Sequence, residues 1–157
     1  AIQLGINKRI IYLKNTSFEF VQNVQNRTIT KEEELEYDES LVLINPVILK
    51  SEGLTEYWEA CVSCLDNMGK VLRPYKIHLE YYDINGNRHE KVFEGFEATV
   101  LAHEYDHLDG ILHIDVSEEV ISMPAEERRI FRQNNDYKII IKTGNYNKLK
   151  KQKVLTK

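Results

Sequence analysis

The sequence is poor in cysteine, proline and glycine, and no apolar run in it is long. Its 157 residues include two Cys, three Pro, seven Gly and a single Trp. Two Cys exclude a disulfide-stapled scaffold, and so few Gly and Pro exclude a collagenous or low-complexity chain. Apolar runs such as 41–44 and 139–141 fall far below the ~18 residues that a membrane-spanning helix needs, so no membrane span is expected. An excess of basic charge is also missing. Lys and Arg total 21 against 25 Asp and Glu, a formal charge of −4, and a general nucleic-acid binder needs a basic face. Nor is there an initiating Met: the chain opens on Ala1 and is expected to be a processed chain or a fragment.

What is present is 42% apolar residues over a length typical of one domain, enough for one core without staples. The β-branched and aromatic run 9–13 predicts a buried strand. From 14 to 40 the pattern gives way to Asn, Gln, Thr and an acidic run (Glu32, Glu33, Glu34, Glu36, Asp38, Glu39), read as a solvated, variable excursion. A strand resumes at 41–44, Asn45-Pro46 is expected to break it, and 47–49 continues along a sheet edge. Residues 71–82 alternate as a strand around Pro74. The Asn85-Gly86 turn predicts a hairpin with 88–93. A helix is expected over 95–109 with Gly110 as its left-handed cap, a shorter one over 125–133, and a last strand over 136–142. Six Lys and no acid in 142–157 read as a solvated basic tail. The domain therefore spans 1–142, with 143–157 a flexible tail. Leu43, Ile77, Phe96 and Val100 are the expected core residues.

The chemistry concentrates in His103-Glu104-Tyr105-Asp106-His107. On a helix, positions i and i+4 share one face, so both imidazoles can reach one metal ion, with Glu104 placed to move a proton of a metal-activated water. His78 and His89 fall on expected strands as ordinary polar residues. Two His do not complete a site, which usually has three protein ligands and an open position. Three candidates for the third ligand are open. His113 completes H-E-x-x-H-x-x-G-x-x-H, with Met123 ten residues on, and that fragment resembles a metzincin metalloprotease. Glu126 or Glu127 would resemble the thermolysin-like His-His-Glu arrangement. Cys61, 42 residues before His103, would make a Cys-His-His set.

Residues outside the helix carry a further resemblance. The stretch Glu59-Ala60-Cys61-Val62-Ser63 resembles the E-G-C-L-S motif of the peptide deformylase family, whose helix motif is H-E-x-D-H with an Asp where Asp106 stands. The continuation from Leu108 to Asp115 fits the family, which usually has an aromatic at the place of His113. Residues 1–9 resemble the second half of the family's G-x-G-x-A-A-x-Q motif, ending in Gln3, and Asn45-Pro46 and Glu94-Gly95-Phe96 fit as well. The resemblance implies an α+β fold of small, mostly antiparallel sheets around a central metal-binding helix. It implies removal of the formyl group from the N-terminal formylmethionine of new polypeptides, a metal-bound water attacking the formyl carbonyl. Cys61, His103 and His107 would hold one divalent ion, Fe²⁺ favoured and Zn²⁺ or Ni²⁺ acceptable. Glu104 would serve as general base and then acid. The Gln3 side chain and the Val62 N–H would stabilise the oxyanion. His113 is then a packed residue. Substrate would lie extended beside a sheet edge, its Met side chain in an apolar pocket.

The implied partners are N-formylmethionyl nascent polypeptides, with neither nucleic acid nor membrane, in a bacterial cytoplasm or an organelle matrix. Two departures stand out. Ala60 replaces the family's Gly and would be strained if that position needs positive φ, and the Gly-x-Gly-x-Ala half of the first motif, which would line the substrate cleft, is missing before Ala1. Cys64 adds a Cys61-x-x-Cys64 spacing that could be read as a redox pair. The alternatives are a metzincin-like protease using His103, His107 and His113, and a catalytically inactive deformylase-like binding module.

Overall fold

The computed structural model describes Gly5, residues 7–13 and residues 40–155. Gln3 and the expected excursion, apart from Ser40, lie outside the described residues.

Strand β1 (Ile10–Leu13) turns Ile11 and Leu13 into the core and leaves Tyr12 outside, the two-residue alternation of a half-buried strand. It pairs antiparallel with the start of β2 (Leu41–Ala60), a 20-residue strand that organises the fold. Asn45-Pro46 does not end β2, as its residue types suggest. Asn45 takes φ of 47°, and the pairing shifts between Ile44 and Val47, so the Pro is accommodated as a bulge. Strands β3 (Asn67–Arg73) and β4 (Lys76–Tyr82) both pair with β2. Thr55 faces Arg73 and Glu52 faces Lys76, so the ladder resumes in the same register beyond Pro74. The expected strand at 71–82 is thus two strands in line, divided where Pro has no N–H to give.

The hairpin from β4 to β5 (Arg88–Glu94) closes at the expected turn. Asp83 Oδ1 accepts from the N–H groups of Asn85 at 2.8 Å and Asn87 at 3.0 Å, and Gly86 supplies a φ of 81°. His78 and His89 lie on this hairpin, His78 beside Glu90 at 3.3 Å and His89 on Asp83 at 2.7 Å. Helix α1 (Phe96–Leu108) follows, its entry tied by the Gly95 N–H to the Tyr75 carbonyl at 2.8 Å. It ends at Gly110 with φ of 72°, as the sequence predicts.

Strand β6 (Glu119–Ser122) pairs with β3, and helix α2 covers Ala125–Asn134. Residues 143–155 of the segment expected to be a flexible tail take regular structure instead. Strand β7 (Lys138–Asn145) adds to β2 at Glu52–Glu56, and helix α3 (Tyr146–Leu155) follows. Three features explain the difference. Gly53, with φ of 74°, has the Ile141 carbonyl oxygen only 2.7 Å from where a Cβ would stand, so glycine lets β7 approach. The Tyr146 hydroxyl donates to the Leu72 carbonyl at 2.9 Å, and Lys153 pairs with Glu56 at 2.5 Å.

The α+β class with antiparallel pairing is as expected. Among the described residues, however, seven strands form one branched sheet rather than several small ones, because β2 is long enough to pair with β1, β3, β4 and β7. Helix α1 lies on this sheet against a core that includes Leu43, Ile77, Leu79, Phe93 and Leu101. Burying each such side chain contributes about 1.5–3 kcal/mol. Leu43 and Ile77 are fully buried as expected, and Val100 packs against the core from its margin. Phe96 does not join this core. Its ring meets Tyr57 edge-on at 5.2 Å and Tyr137 at 5.5 Å, at the wall of a pocket.

Candidate metal centre and adjoining pocket

Helix α1 sets His103 and His107 one turn apart, with ring centroids 4.7 Å from each other. Strand β2 runs out at Ala60 and delivers Cys61, whose extended backbone precedes a tight turn over Val62–Cys64. Cys61 Sγ lies 3.5 Å from His107 Nε2. One ligand atom from each of Cys61, His103 and His107 falls within 4.8 Å of the others, the one such group of ligand-type residues among the described residues. A soft thiolate with two imidazoles is a donor set that suits several first-row divalent metals.

The imidazoles are oriented from behind. His103 Nδ1 is 2.6 Å from Glu59 Oε1, and His107 Nδ1 donates to the Ile111 carbonyl at 3.2 Å. With both Nδ1 atoms engaged, each ring offers Nε2, the arrangement that metal-binding histidines use. Glu59 is held in turn by Arg73 of β3, whose Nε and Nη2 reach its two oxygens at 2.9 and 3.1 Å. Arg73 also pairs with Asp106 of α1.

Charge follows from this geometry. Burial pushes the Glu59 carboxyl up, but Arg73 first and His103 second outweigh it and hold the group at about 2. Burial pushes His103 down, yet Glu59 prevails and raises it to about 9. The pocket thus favours positive charge at His103, a proton that a bound cation would replace. His107 moves the other way: burial and the neighbouring His103 lower its pKa, leaving a neutral imidazole.

Glu104 lies beside His103 in the wall of a cavity of about 260 Å³, with Tyr57, Phe96, Thr99, Val100 and Arg132. The wall of this cavity is mixed, since Arg132 and Glu104 share it with the aromatic rings. Val62 follows Cys61 and is 93% exposed. Ala60 keeps its place in the β2 ladder opposite Met68 and has no positive φ, so the missing Gly causes no strain. Cys64 is buried, and burial first and then the neighbouring Cys61 push its thiol up, which argues for an inert packed residue.

The rival third ligands do not join the group. His113 is 1% exposed and stacks on His103, ring centroids 5.7 Å apart and planes 25° from parallel. Glu126 and Glu127 are exposed in the first turn of α2. Sequence reasoning did not single out Arg73, or Arg132 and Tyr57 of the cavity wall. Glu59 could have been read, because residues two apart near a strand end point to one side, as Glu59 and Cys61 do.

Comparison with known proteins places this geometry. The sequence model of the polypeptide deformylase family matches residues 1–122. A peptide deformylase of Rhizobium meliloti is 40% identical over 116 residues, covering 73% of this chain and 58% of that protein. Among solved structures, a peptide deformylase from Plasmodium falciparum superimposes with a TM-score of 0.58 at 30% identity, covering 86% of this chain and 67% of the other. One from Acinetobacter baumannii, with Met-Ala-Ser bound, gives 0.58 at 30% identity over 73% of this chain and 65% of the other. The chain spans 58% of the length of the first two curated relatives.

Proposed function

The chain belongs to the polypeptide deformylase family, and from that membership we propose that it is a metal-dependent hydrolase that removes the formyl group from the N-terminal formylmethionine of new polypeptides. The observation that carries this reading is the meeting of Cys61, His103 and His107 beside Glu104. Cys61 Sγ and the two Nε2 atoms would hold one divalent ion, Fe²⁺ first, with Zn²⁺ or Ni²⁺ able to substitute. When bound, it would supply Lewis acidity toward water and the formyl carbonyl.

The chain's own residues do the rest. Glu104 takes a proton from the attacking water. The water oxygen adds to the formyl carbon, the C–N bond breaks, formate leaves, and Glu104 returns the proton to the departing amine. The Val62 N–H, next to Cys61, and the Gln3 side chain donate to the developing oxyanion. Glu59, Arg73 and the Ile111 carbonyl hold the imidazoles in place. The Met-Ala-Ser bound to the Acinetobacter baumannii relative has the chemistry of a deformylated product, which supports a methionine-first peptide as substrate. A bacterial cytoplasm or an organelle matrix, where such polypeptides are made, also keeps Cys61 reduced.

Metal content and formate release from formyl-Met-Ala-Ser test the reading in protein purified without oxygen. Cys61→Ser is expected to lose both, Glu104→Gln to keep metal and lose about 10²–10⁴ in rate, and His113→Ala to keep bound metal. Metal and activity retained in Cys61→Ser, or lost only in His113→Ala, would turn the assignment toward the protease-like ligand set. Bound metal without formate release would indicate a binding module.

A further inference from the structure

Part of the chain beyond residue 122, where the match to the family's sequence model ends, reaches back to the residues that orient His103. Its anchor is Tyr146, the first residue of α3, whose hydroxyl donates to the Leu72 carbonyl at 2.9 Å. Leu72 is 1% exposed, so water does not replace that donor. The next carbonyl along β3, that of Arg73, accepts from the Thr55 hydroxyl at 3.0 Å. Two side-chain hydroxyls thus grip consecutive carbonyls just ahead of Pro74, which has no N–H of its own to give.

This end of β3 needs the grip. Among the described residues, β6 pairs with β3 from Asn67 to Lys70, so Val71, Leu72 and Arg73 have β2 alone as ladder partner. From here Arg73 sends its side chain inward, where Nε and Nη2 hold the two oxygens of Glu59 and Nη1 meets Asp106. Glu59 Oε1 in turn engages His103 Nδ1 at 2.6 Å. Hydrogen bonds weaken steeply with misalignment, so a shift of the Arg73 backbone passes to Glu59 and then to the imidazole. Tyr146 lies close to this cluster. Besides burial, the charges acting on its hydroxyl are those of Arg73, Asp106 and Glu59.

We propose that Tyr146 is a positioning residue of the metal centre: by holding the Leu72 carbonyl it fixes the end of β3, and through Arg73 and Glu59 it keeps the His103 imidazole aimed at the ion. That role takes Cys61, His103 and His107 as the metal ligands, as the deformylase reading does.

Zn²⁺ affinity is measured by competition with a chelator, and exchange of the Arg73 Nε–H with solvent is followed by NMR in the metal-free protein. Tyr146→Phe is expected to weaken Zn²⁺ binding about tenfold, the lower end of what outer partners of metal ligands contribute, and to speed the exchange. Lys153→Met frees the same helix from Glu56 and is expected to change neither, although thermal unfolding registers both substitutions. Because Tyr146 acts through Glu59, adding Tyr146→Phe to Glu59→Gln is expected to weaken binding no further. Unchanged affinity in Tyr146→Phe overturns the proposal and leaves the tyrosine a purely structural anchor. Equal weakening in Lys153→Met overturns it too, because loose docking of α3 would then be the cause. So does full additivity with Glu59→Gln. A parent protein that binds no Zn²⁺ would overturn the metal reading, while faster Arg73 exchange in Tyr146→Phe would still uphold the link from Tyr146 to Glu59.

Discussion

Glu59 Oε1 stands 2.6 Å from His103 Nδ1, and the same carboxylate is clasped by Arg73. One buried group therefore both orients a candidate ligand and carries a charge that needs a counter-charge. Glu59→Gln is expected to weaken metal binding about 10–100-fold while leaving the ligand atoms unchanged, read by competition with a chelator. Arg73→Met is expected to cost about 3–5 kcal/mol in denaturant unfolding, because it strands Glu59 in the interior. An Arg73→Met protein as stable as the parent would show that the pair is not a structural requirement.

His113 is packed where neither ring nitrogen finds a hydrogen bond among the described residues. His113→Phe removes two buried polar atoms and keeps a flat ring against His103, so a gain of about 1 kcal/mol is expected. The gain should grow in acid. Burial, first, and the nearby His103 lower the His113 pKa, so its stabilising neutral form is present above the ordinary value near 6.5 and is lost as pH falls. Parallel stability curves for the two proteins between pH 7 and 5 would contradict this.

Gly69 leaves no room for a side chain. A Cβ there would stand 1.8 Å from Ser117 Oγ and 2.8 Å from Ser117 Cβ. Gly69→Ala is expected to cost about 1–3 kcal/mol. The double variant Gly69→Ala with Ser117→Gly should recover part of that loss in denaturant titration. An additive double variant would place the clash elsewhere.

Tyr146 anchors the start of α3 through the Leu72 carbonyl. Burial raises its hydroxyl from near 10 to about 12. The folded protein therefore holds the neutral phenol more firmly than the unfolded chain does. Its stabilisation is complete below pH 10 and lost as pH rises toward 12. Tyr146→Phe is expected to lose about 1 kcal/mol at neutral pH and to show a shallower alkaline decline, followed by circular dichroism.

The helix bearing His103 and His107 was legible because i, i+4 spacing and the Gly110 cap are local signals. The Asp83–Asn87 turn was legible for the same reason. Asn45-Pro46 misled because residue types announce a break, whereas a bulge is decided by partners on both sides of the strand. The tail misled likewise. Its Lys residues read as a solvated run, but Gly53 opens a place on β2 for β7, and Glu56 receives Lys153. No local pattern could bring Arg73, Arg132 or Tyr57 to the site, since each arrives on a different element.

The two cysteines show where that boundary falls. By itself the sequence determined that they could not staple the fold, and of the three candidates for the third ligand its motif resemblance favoured Cys61. Only the tertiary structure brings Cys61 to the helix, because β2 ends beside α1 with Cys61 Sγ 3.5 Å from His107 Nε2, whereas His113 stacks on His103 and Cys64 is buried. Spacing along a chain decides which residues share a helix face. Which strand end meets that face is decided by long-range packing, and here that is the register of β2.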